Sequence, residues 1–238
     1  MAAFALALQQ GADGLEADLR LTTDGHLVCV HDRTLTRTGG DAGRGVVIAN
    51  TTLAELQRID VGAWHRTGSA RGERIPTLTD LLDLARSCGR PLQVALETKH
   101  PTRHGGRTER VLAAVLRDAG LTRADPQGVT VVVMSFNAAA LMRMARLLPD
   151  VPRVLLCDQR PLAAVLVRGR FTDIEGWSVR AVRADPMVVA RARGRGHGVA
   201  VWTVDEPADV AHCVSVGVDA LITNRPAQVL TALGRQVA

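Results

Sequence analysis

The fold is decided by the stretch Val129-Thr-Val-Val-Val-Met134, which is apolar on both faces of an extended chain. The stretch Val199-Ala-Val-Trp-Thr203 has the same character. Strands that are buried on both faces are typical of parallel sheets covered by helices, because neither face then meets water. The sequence therefore predicts an α/β fold with a parallel sheet.

Helical and extended patterns alternate on both sides of this stretch, from residue 77 to the end of the chain. The predicted strands lie at about 92–97, 129–134, 153–157, 176–182, 198–203 and 218–222. The predicted helices lie at about 78–88, 107–119, 138–147, 161–167, 186–195, 206–216 and from Pro226 onward. No Gly-rich phosphate loop follows any strand, so a doubly wound sheet is the less favoured alternative.

The number of predicted strands favours a barrel. A strand at 15–21 precedes the others and brings the parallel set to about seven, with one helix before it. A TIM (β/α)₈ barrel contains eight such strands, so we expect this fold with its first strand upstream of Met1. Residues 1–238 are predicted to form one domain, with a small insertion at about 33–76. Within it, Thr52 and Glu55 fit a capping box at the start of a short helix.

Two carboxylates share one face of the strand at 15–21. Glu16 and Asp18 alternate with leucine and alanine, so the charged and the apolar side chains lie on opposite faces. If Asp24-Gly25 is a two-residue turn, Asp18 falls opposite His31 on the returning strand, whereas a bulge at Gly25 would shift this register. The pattern fits a reactive site and a solvated hairpin face about equally.

The chain contains a single lysine, Lys99, among 29 lysine and arginine residues. It follows an apolar strand pattern and shares a face with Glu97, two residues before it. In a chain that otherwise uses arginine, a compact ammonium at a strand end suits phosphate binding, although an isolated surface lysine would show the same pattern.

Composition argues against several kinds of site. The net charge is +5 at pH 7, but three Phe, three Trp and no Tyr offer few rings for stacking on bases, so we expect no nucleic-acid partner. The four cysteines stand far apart without a C-x-x-C pair, which argues against a thiolate metal site.

No apolar segment is long enough to insert stably into a bilayer. The opening residues lack a basic region and a cleavage site, so they are not typical of a signal peptide. We interpret them as a helix docked through Phe4 and Leu8, and we expect a cytoplasmic protein.

Motifs along nearly the whole chain resemble those of the glycerophosphodiester phosphodiesterase family. In order, they are Gly11-Ala-Asp-Gly-Leu-Glu-Ala-Asp18, Thr23-Asp-Gly25, Val30-His-Asp32, Arg37-Thr38, Ile59-Asp-Val-Gly-Ala-Trp64, Ile75-Pro-Thr-Leu78, Leu96-Glu-Thr-Lys-His-Pro101, Ser135-Phe136, Trp202-Thr-Val204 and Gly217-Val-Asp-Ala-Leu-Ile-Thr-Asn-Arg-Pro226. Their order and spacing together are specific. The resemblance implies a TIM barrel that hydrolyses small glycerophosphodiesters to glycerol 3-phosphate and an alcohol with a divalent cation.

The resemblance also implies roles for individual residues. Glu16, Asp18 and Glu97 would hold the cation, Ca²⁺ or Mg²⁺, both of which prefer oxygen ligands. Lys99 would contact the phosphate. His31 would be one of two histidines that transfer protons to or from the reacting oxygens.

The resemblance also points to two aromatic residues as contacts for the part of the substrate outside the phosphate. Trp202 and Phe136 would line the pocket for the glycerol or the alcohol. Positions in the barrel core would explain both side chains about as well.

Family members begin with a strand that ends in a His-Arg pair, and this sequence starts after it. The only His-Arg dipeptide, His65-Arg66, lies inside the insertion, and we do not expect it to substitute. A metal-dependent phosphodiesterase is the favoured prediction. The alternatives are a shortened inactive barrel that binds phosphodiesters or a partner, and a phospholipase D-type enzyme that acts on lysophospholipids.

Overall fold

From residue 77 onward the described part of the chain is built of strands and helices in the predicted order, except that two helices follow β6 in succession. The computed structural model describes residues 1–65, 70–102, 105–125, 128–158 and 171–235. Its strands are β1 (Gly14–Leu21), β2 (Leu27–Cys29), β3 (Leu92–Thr98), β4 (Val129–Ser135), β5 (Arg153–Cys157), β6 (Ile174–Ser178), β7 (Gly198–Trp202) and β8 (Ala220–Leu221). Its helices are α1 (Ala2–Gln9), α2 (Leu53–Leu56), α3 (Leu78–Ser87), α4 (Arg107–Asp118), α5 (Ala138–Leu147), α6 (Val179–Ala184), α7 (Met187–Arg193), α8 (Pro207–Ser215) and α9 (Pro226–Ala232), with a 3₁₀ helix at Ile48–Asn50.

The described strands form one curled sheet in the order β2-β1-β3-β4-β5-β6-β7-β8. The short β2 runs antiparallel to β1, and every other pair of neighbours is parallel. This topology confirms the predicted α/β class. Because the parallel strands point the same way, their carboxyl ends meet along one edge, where barrel folds build their active sites.

Apolar side chains fill both faces of the sheet. Leu19 and Leu96 are fully buried in the large core between the sheet and the helices. On the opposite face, Val154 and Leu156 belong to a smaller inner cluster. Gly176 allows this inner packing, because a Cβ there would lie 2.7 Å from Leu156 Cδ2 and 2.9 Å from Val154 Cγ1.

The hairpin of β1 and β2 differs by one residue from the predicted register. The main-chain N–H of Val30 donates to the oxygen of Asp18 at 2.8 Å, so Val30 and not His31 lies opposite Asp18. The loop contains three residues, 23–25, and Gly25 adopts a φ of 92°. An extra residue with positive φ shifts the pairing by one position, so the predicted pairing of Asp18 with His31 is wrong.

The described residues of the segment 33–76 pack around a small core to which Val28 of β2 also belongs. Leu35, Ile48 and Leu56 are buried in this cluster. The predicted capping box is confirmed at the start of α2, where the Thr52 hydroxyl accepts the N–H of Glu55 and the Glu55 carboxylate accepts the N–H of Thr52.

Residues 174–184 differ from the prediction. The strand predicted at 176–182 lies at 174–178 as β6, and α6 follows at once. The strand ends at Ser178 because its hydroxyl accepts a hydrogen bond from the N–H of Ala181 and caps the helix. The helix predicted at 161–167 lies outside the described residues.

The helix predicted at the start of the chain is α1. It packs against the main core through Phe4 and Leu8, as expected. Within the described ranges, no helix combines the length and the apolar character that crossing a membrane requires.

Leu96 offers a test of the packing behind the site-bearing strand β3. We predict that Leu96→Ala lowers the free energy of unfolding by about 2–5 kcal/mol, because it leaves a cavity in the core. The matched control Leu6→Ala removes a side chain that is 52% exposed and should cost less than about 0.5 kcal/mol. Urea denaturation measures both changes, and equal losses for the two variants would contradict the described core.

Candidate metal centre

Three carboxylates converge near the carboxyl ends of β1 and β3. Glu16 and Asp18 alternate with buried apolar residues on β1, and Glu97 is the register partner of Asp18 on β3. One ligand atom from each of the three lies within 4.8 Å of the others. In the part of the chain that the structure describes, no other group of three or more His, Cys, Asp and Glu side chains has this arrangement.

Lys99 lies against two of these carboxylates. Its Nζ is 2.9 Å from Asp18 Oδ1 and 2.9 Å from Glu97 Oε2. The Lys99 side chain is only 13% exposed, so little water screens these contacts. Burial disfavours the ammonium, but the hydrogen bonds and charges of Asp18 and Glu97 outweigh burial and raise the pKa of Lys99.

Crowding and burial disfavour ionisation of Glu16 and Glu97. Burial, followed by the negative charges of Asp18 and Glu97, raises the pKa of Glu16 to about 8. Burial also raises the pKa of Glu97 to about 7, although the contact with Lys99 opposes this change. The site can therefore lower its free energy by binding protons or a cation.

His31 does not lie across from Asp18 on the hairpin, as the predicted register required. Its Nδ1 lies 2.8 Å from Oδ1 of the next residue, Asp32, and the His31 side chain is 64% exposed. Its main-chain oxygen accepts hydrogen bonds from Arg20 Nε at 3.0 Å and Arg20 Nη2 at 2.8 Å. Within the described ranges, His31 is therefore hydrogen-bonded to Arg20 and Asp32 and not to the carboxylate cluster.

Sequence reasoning missed the neighbours of His31. Arg20 continues the charged face of β1, and Asp32 is adjacent in the Val30-His-Asp32 triplet, so local signals for both were present. Arg37 donates from Nε to Asp32 Oδ2 at 2.7 Å. That contact depends on how the segment 33–76 folds, and no pattern in the neighbouring sequence predicts it.

The two aromatic candidates lie together at the carboxyl edge of the sheet. Phe136 follows β4 directly, and Trp202 ends β7. Their rings meet edge to face, with centroids 5.4 Å apart and planes at 86°. Phe136 is 48% exposed, whereas Trp202 packs partly against the inner cluster and donates from Nε1 to the oxygen of Gly176. At this edge of the sheet, Trp202 thus packs on the inner cluster and Phe136 packs on Trp202 while facing solvent.

Two other histidines are held by fully buried glutamates. His100 Nε2 lies 2.7 Å from Glu109 Oε1, and His197 Nδ1 lies 3.0 Å from Glu175 Oε1. His65 packs edge-on against the tryptophan before it, inside the segment 33–76. Its partner in the dipeptide, Arg66, lies outside the described residues.

Related sequences agree with these motifs. The model of the glycerophosphoryl diester phosphodiesterase family matches residues 1–228. A Mycobacterium tuberculosis protein named "Probable glycerophosphodiester phosphodiesterase 1" is 40% identical over 232 residues, covering 95% of this chain and 84% of the relative. A glycerophosphodiester phosphodiesterase of Caldanaerobacter subterraneus is 30% identical over 229 residues, with 95% and 88% covered.

Solved structures show the same type of fold. A phosphodiesterase of Oleispira antarctica, in complex with the product sn-glycerol-3-phosphate, matches with a TM-score of 0.86 and 26% identity over 98% of this chain and 90% of that chain. A glycerophosphodiester phosphodiesterase of Parabacteroides distasonis matches with a TM-score of 0.78 and 23% identity over 97% and 87%. These likenesses confirm the expected barrel type.

The raised carboxyl pKa values make stability depend on pH. A glutamate in the unfolded chain titrates near pH 4.3, so between about pH 4.5 and 8 the folded protein keeps protons that the unfolded chain releases. In the absence of divalent cations, we therefore predict that the free energy of unfolding falls by a few kcal/mol across this range. Denaturation in chelator at several pH values measures the slope.

Glu16→Gln removes the carboxyl group with the highest of these pKa values, so the variant should show a flatter pH dependence. Asp41→Asn is the matched control, because the Asp41 side chain is fully exposed and should leave the slope unchanged. Equal slopes for the parent and Glu16→Gln would contradict the electrostatic description.

Proposed function

The chain belongs to the glycerophosphoryl diester phosphodiesterase family and is a phosphoric diester hydrolase, and from this premise we propose that it cleaves glycerophosphodiesters to glycerol 3-phosphate and an alcohol with a divalent cation. The observation that carries the proposal is the cluster of Glu16, Asp18 and Glu97 beside Lys99. The product bound to the Oleispira antarctica phosphodiesterase supports the choice of glycerol 3-phosphate.

The donor set fits Ca²⁺ or Mg²⁺. Glu16, Asp18 and Glu97 offer only carboxylate oxygens, which are the ligands that both hard cations prefer. Two of the three carboxyl groups have raised pKa values, so a positive charge at this point would relieve their repulsion. These three carboxylates would hold the cation, whose positive charge would offset the negative charge of the phosphate oxygens.

Lys99 is suited to bind the phosphate. A lysine ammonium has three N–H donors, and Asp18 and Glu97 accept two of them. The third has no acceptor among the described residues and would donate to a phosphate oxygen of the substrate. Because the ammonium is already held in place and partly shielded from water, it stabilises charge that builds on the phosphate in the transition state without moving far.

His31 is suited to transfer a proton. Its imidazole reaches solvent, and Asp32 holds Nδ1. Nε2 has no hydrogen-bond partner in the described part of the chain and could meet a reacting oxygen. We assign it the transfer of a proton from the attacking water or to the leaving alcohol oxygen. A positioned histidine of this kind contributes about 10²–10⁴ in rate.

The aromatic pair would hold the apolar part of the substrate. Phe136 exposes nearly half of its surface and Trp202 supports it from the core side, so the two form an apolar wall near the strand ends. This wall suits the carbon skeleton of the glycerol or of the alcohol.

We assign residues 1–238 to one catalytic domain. The segment 33–76 would be an insertion in it, because its small core is distinct from the main one while Val28 of β2 contributes to it.

The direct test is hydrolysis of glycerophosphocholine in the presence of Ca²⁺ or Mg²⁺, followed by an assay for glycerol 3-phosphate. We predict release of glycerol 3-phosphate by the parent protein, loss of that release in excess chelator, and a decrease of at least about 100-fold in kcat for Glu97→Gln. The substitution keeps the shape of the side chain, so circular dichroism should stay unchanged.

Glu206→Gln is a matched control, because the Glu206 side chain is 60% exposed and contacts only Arg225 among the described ion pairs. It should retain the parent's kcat. Hydrolysis that persists in chelator would contradict the cation. Cleavage confined to lysophospholipids would favour the phospholipase D-type alternative instead, and binding without any turnover would favour the inactive barrel.

A further inference from the structure

Asp32 is hydrogen-bonded through both of its oxygens. Oδ1 lies 2.8 Å from His31 Nδ1, and Oδ2 accepts from Arg37 Nε at 2.7 Å. The hydrogen bond with His31 and then that with Arg37 hold the pKa of Asp32 below its ordinary value. Asp32 is therefore a carboxylate at neutral pH. A carboxylate only accepts hydrogen bonds, so the neutral imidazole must carry its proton on Nδ1 to make this contact.

Arg20 holds the backbone of His31. Its guanidinium donates two hydrogen bonds to the His31 oxygen, at 3.0 and 2.8 Å. Arg20 lies two residues after Asp18, on the same face of β1. The main chain of His31 is thus tied directly to the strand that carries two of the candidate cation ligands.

Arg37 and Trp64 support the carboxylate from the segment 33–76. The Arg37 guanidinium carbon lies 5.3 Å from the centroid of the Trp64 ring, a distance at which a cation and an aromatic face attract each other. Arg37 in turn binds Asp32. The segment 33–76 therefore contributes the outer part of a chain of contacts that ends at His31.

From this geometry we propose that Asp32, braced by Arg37, is a positioning residue that holds His31 in the Nδ1–H tautomer and presents Nε2 as the atom that exchanges the proton with the substrate. The proposal rests on the function proposed above, in which His31 is the proton-transfer group. In either role assigned to it above, His31 exchanges the proton at Nε2: the neutral ring accepts one from the attacking water, or the imidazolium donates one to the leaving oxygen, and bulk water balances the proton on the ring. Nδ1–H stays bonded to Asp32 in both cases.

If Asp32 had only a structural role, its loss would lower the free energy of unfolding and not specifically change the His31 tautomer. His31 and Arg37 are both more than half exposed, and ion pairs at such positions add little to the free energy of unfolding. Among the described residues, the hydrogen-bond partner of the His31 ring is Asp32. Loss of Asp32 should therefore change the tautomer and the turnover far more than it changes stability.

The test uses the whole chain labelled with ¹⁵N-histidine, and nitrogen shifts report which ring nitrogen carries the proton. At about pH 8, where an ordinary imidazole is neutral, the parent His31 should show a protonated Nδ1 and a free Nε2. Asp32→Asn should shift the ring towards Nε2–H and lower kcat about 10- to 100-fold, with little change in KM. His31→Gln assigns the resonance.

Asp41→Asn is the control, since Asp41 lies in the same segment with a fully exposed side chain. It should leave both the tautomer and kcat unchanged. Arg37→Met keeps Asp32 in place and provides a second variant, with an expected kcat loss smaller than that of Asp32→Asn.

The outcomes separate this inference from the proposed function. If His31→Gln loses activity while Asp32→Asn keeps the parent's tautomer and kcat, the positioning role is wrong and the proposed function stands. If His31→Gln retains full activity, the proton-transfer role of His31 is wrong, and the positioning proposal falls with it.

Discussion

Three carboxylates and one ammonium share a partly buried site at the carboxyl edge of the sheet. When Glu16, Asp18 and Glu97 are all ionised, Lys99 offsets only one of their three negative charges. The remaining repulsion, together with burial, explains why the pKa values of Glu16 and Glu97 rise to about 8 and about 7. A site of this kind favours either bound protons or a bound cation, and its chemistry depends on which of the two it holds.

The fold creates this crowding through simple strand geometry. Alternation on β1 buries Leu19 behind the strand and turns Asp18 to the other face, and the parallel register then sets Glu97 beside Asp18. Leu96 anchors β3 in the same core. The free energy gained by burying these leucines holds together charges that would otherwise separate.

Local patterns were sufficient to predict the strands that carry the site, because alternation on β1 and the apolar run before Glu97 are properties of short stretches. The predicted hairpin register differs from the structure by one residue. The sequence Thr23-Asp-Gly25 is compatible both with a two-residue turn at Asp24-Gly25 and with a three-residue loop that ends at Gly25. The end of β6 was missed because Ser178 is compatible with a strand and also caps a helix. The contacts of Arg37 with Asp32 and Trp64 join residues far apart in a segment without a period, so only the folded chain shows them.

The central claim is that the crowded carboxylates form a cation site. Isothermal titration of Ca²⁺ or Mg²⁺ at about pH 7, repeated in buffers with different ionisation enthalpies, counts the protons released on binding. With the pKa of Glu16 at about 8 and that of Glu97 at about 7, we predict saturable binding accompanied by proton release that fades as the pH rises above about 9. Absence of binding, or binding with no proton release at pH 7, would contradict it.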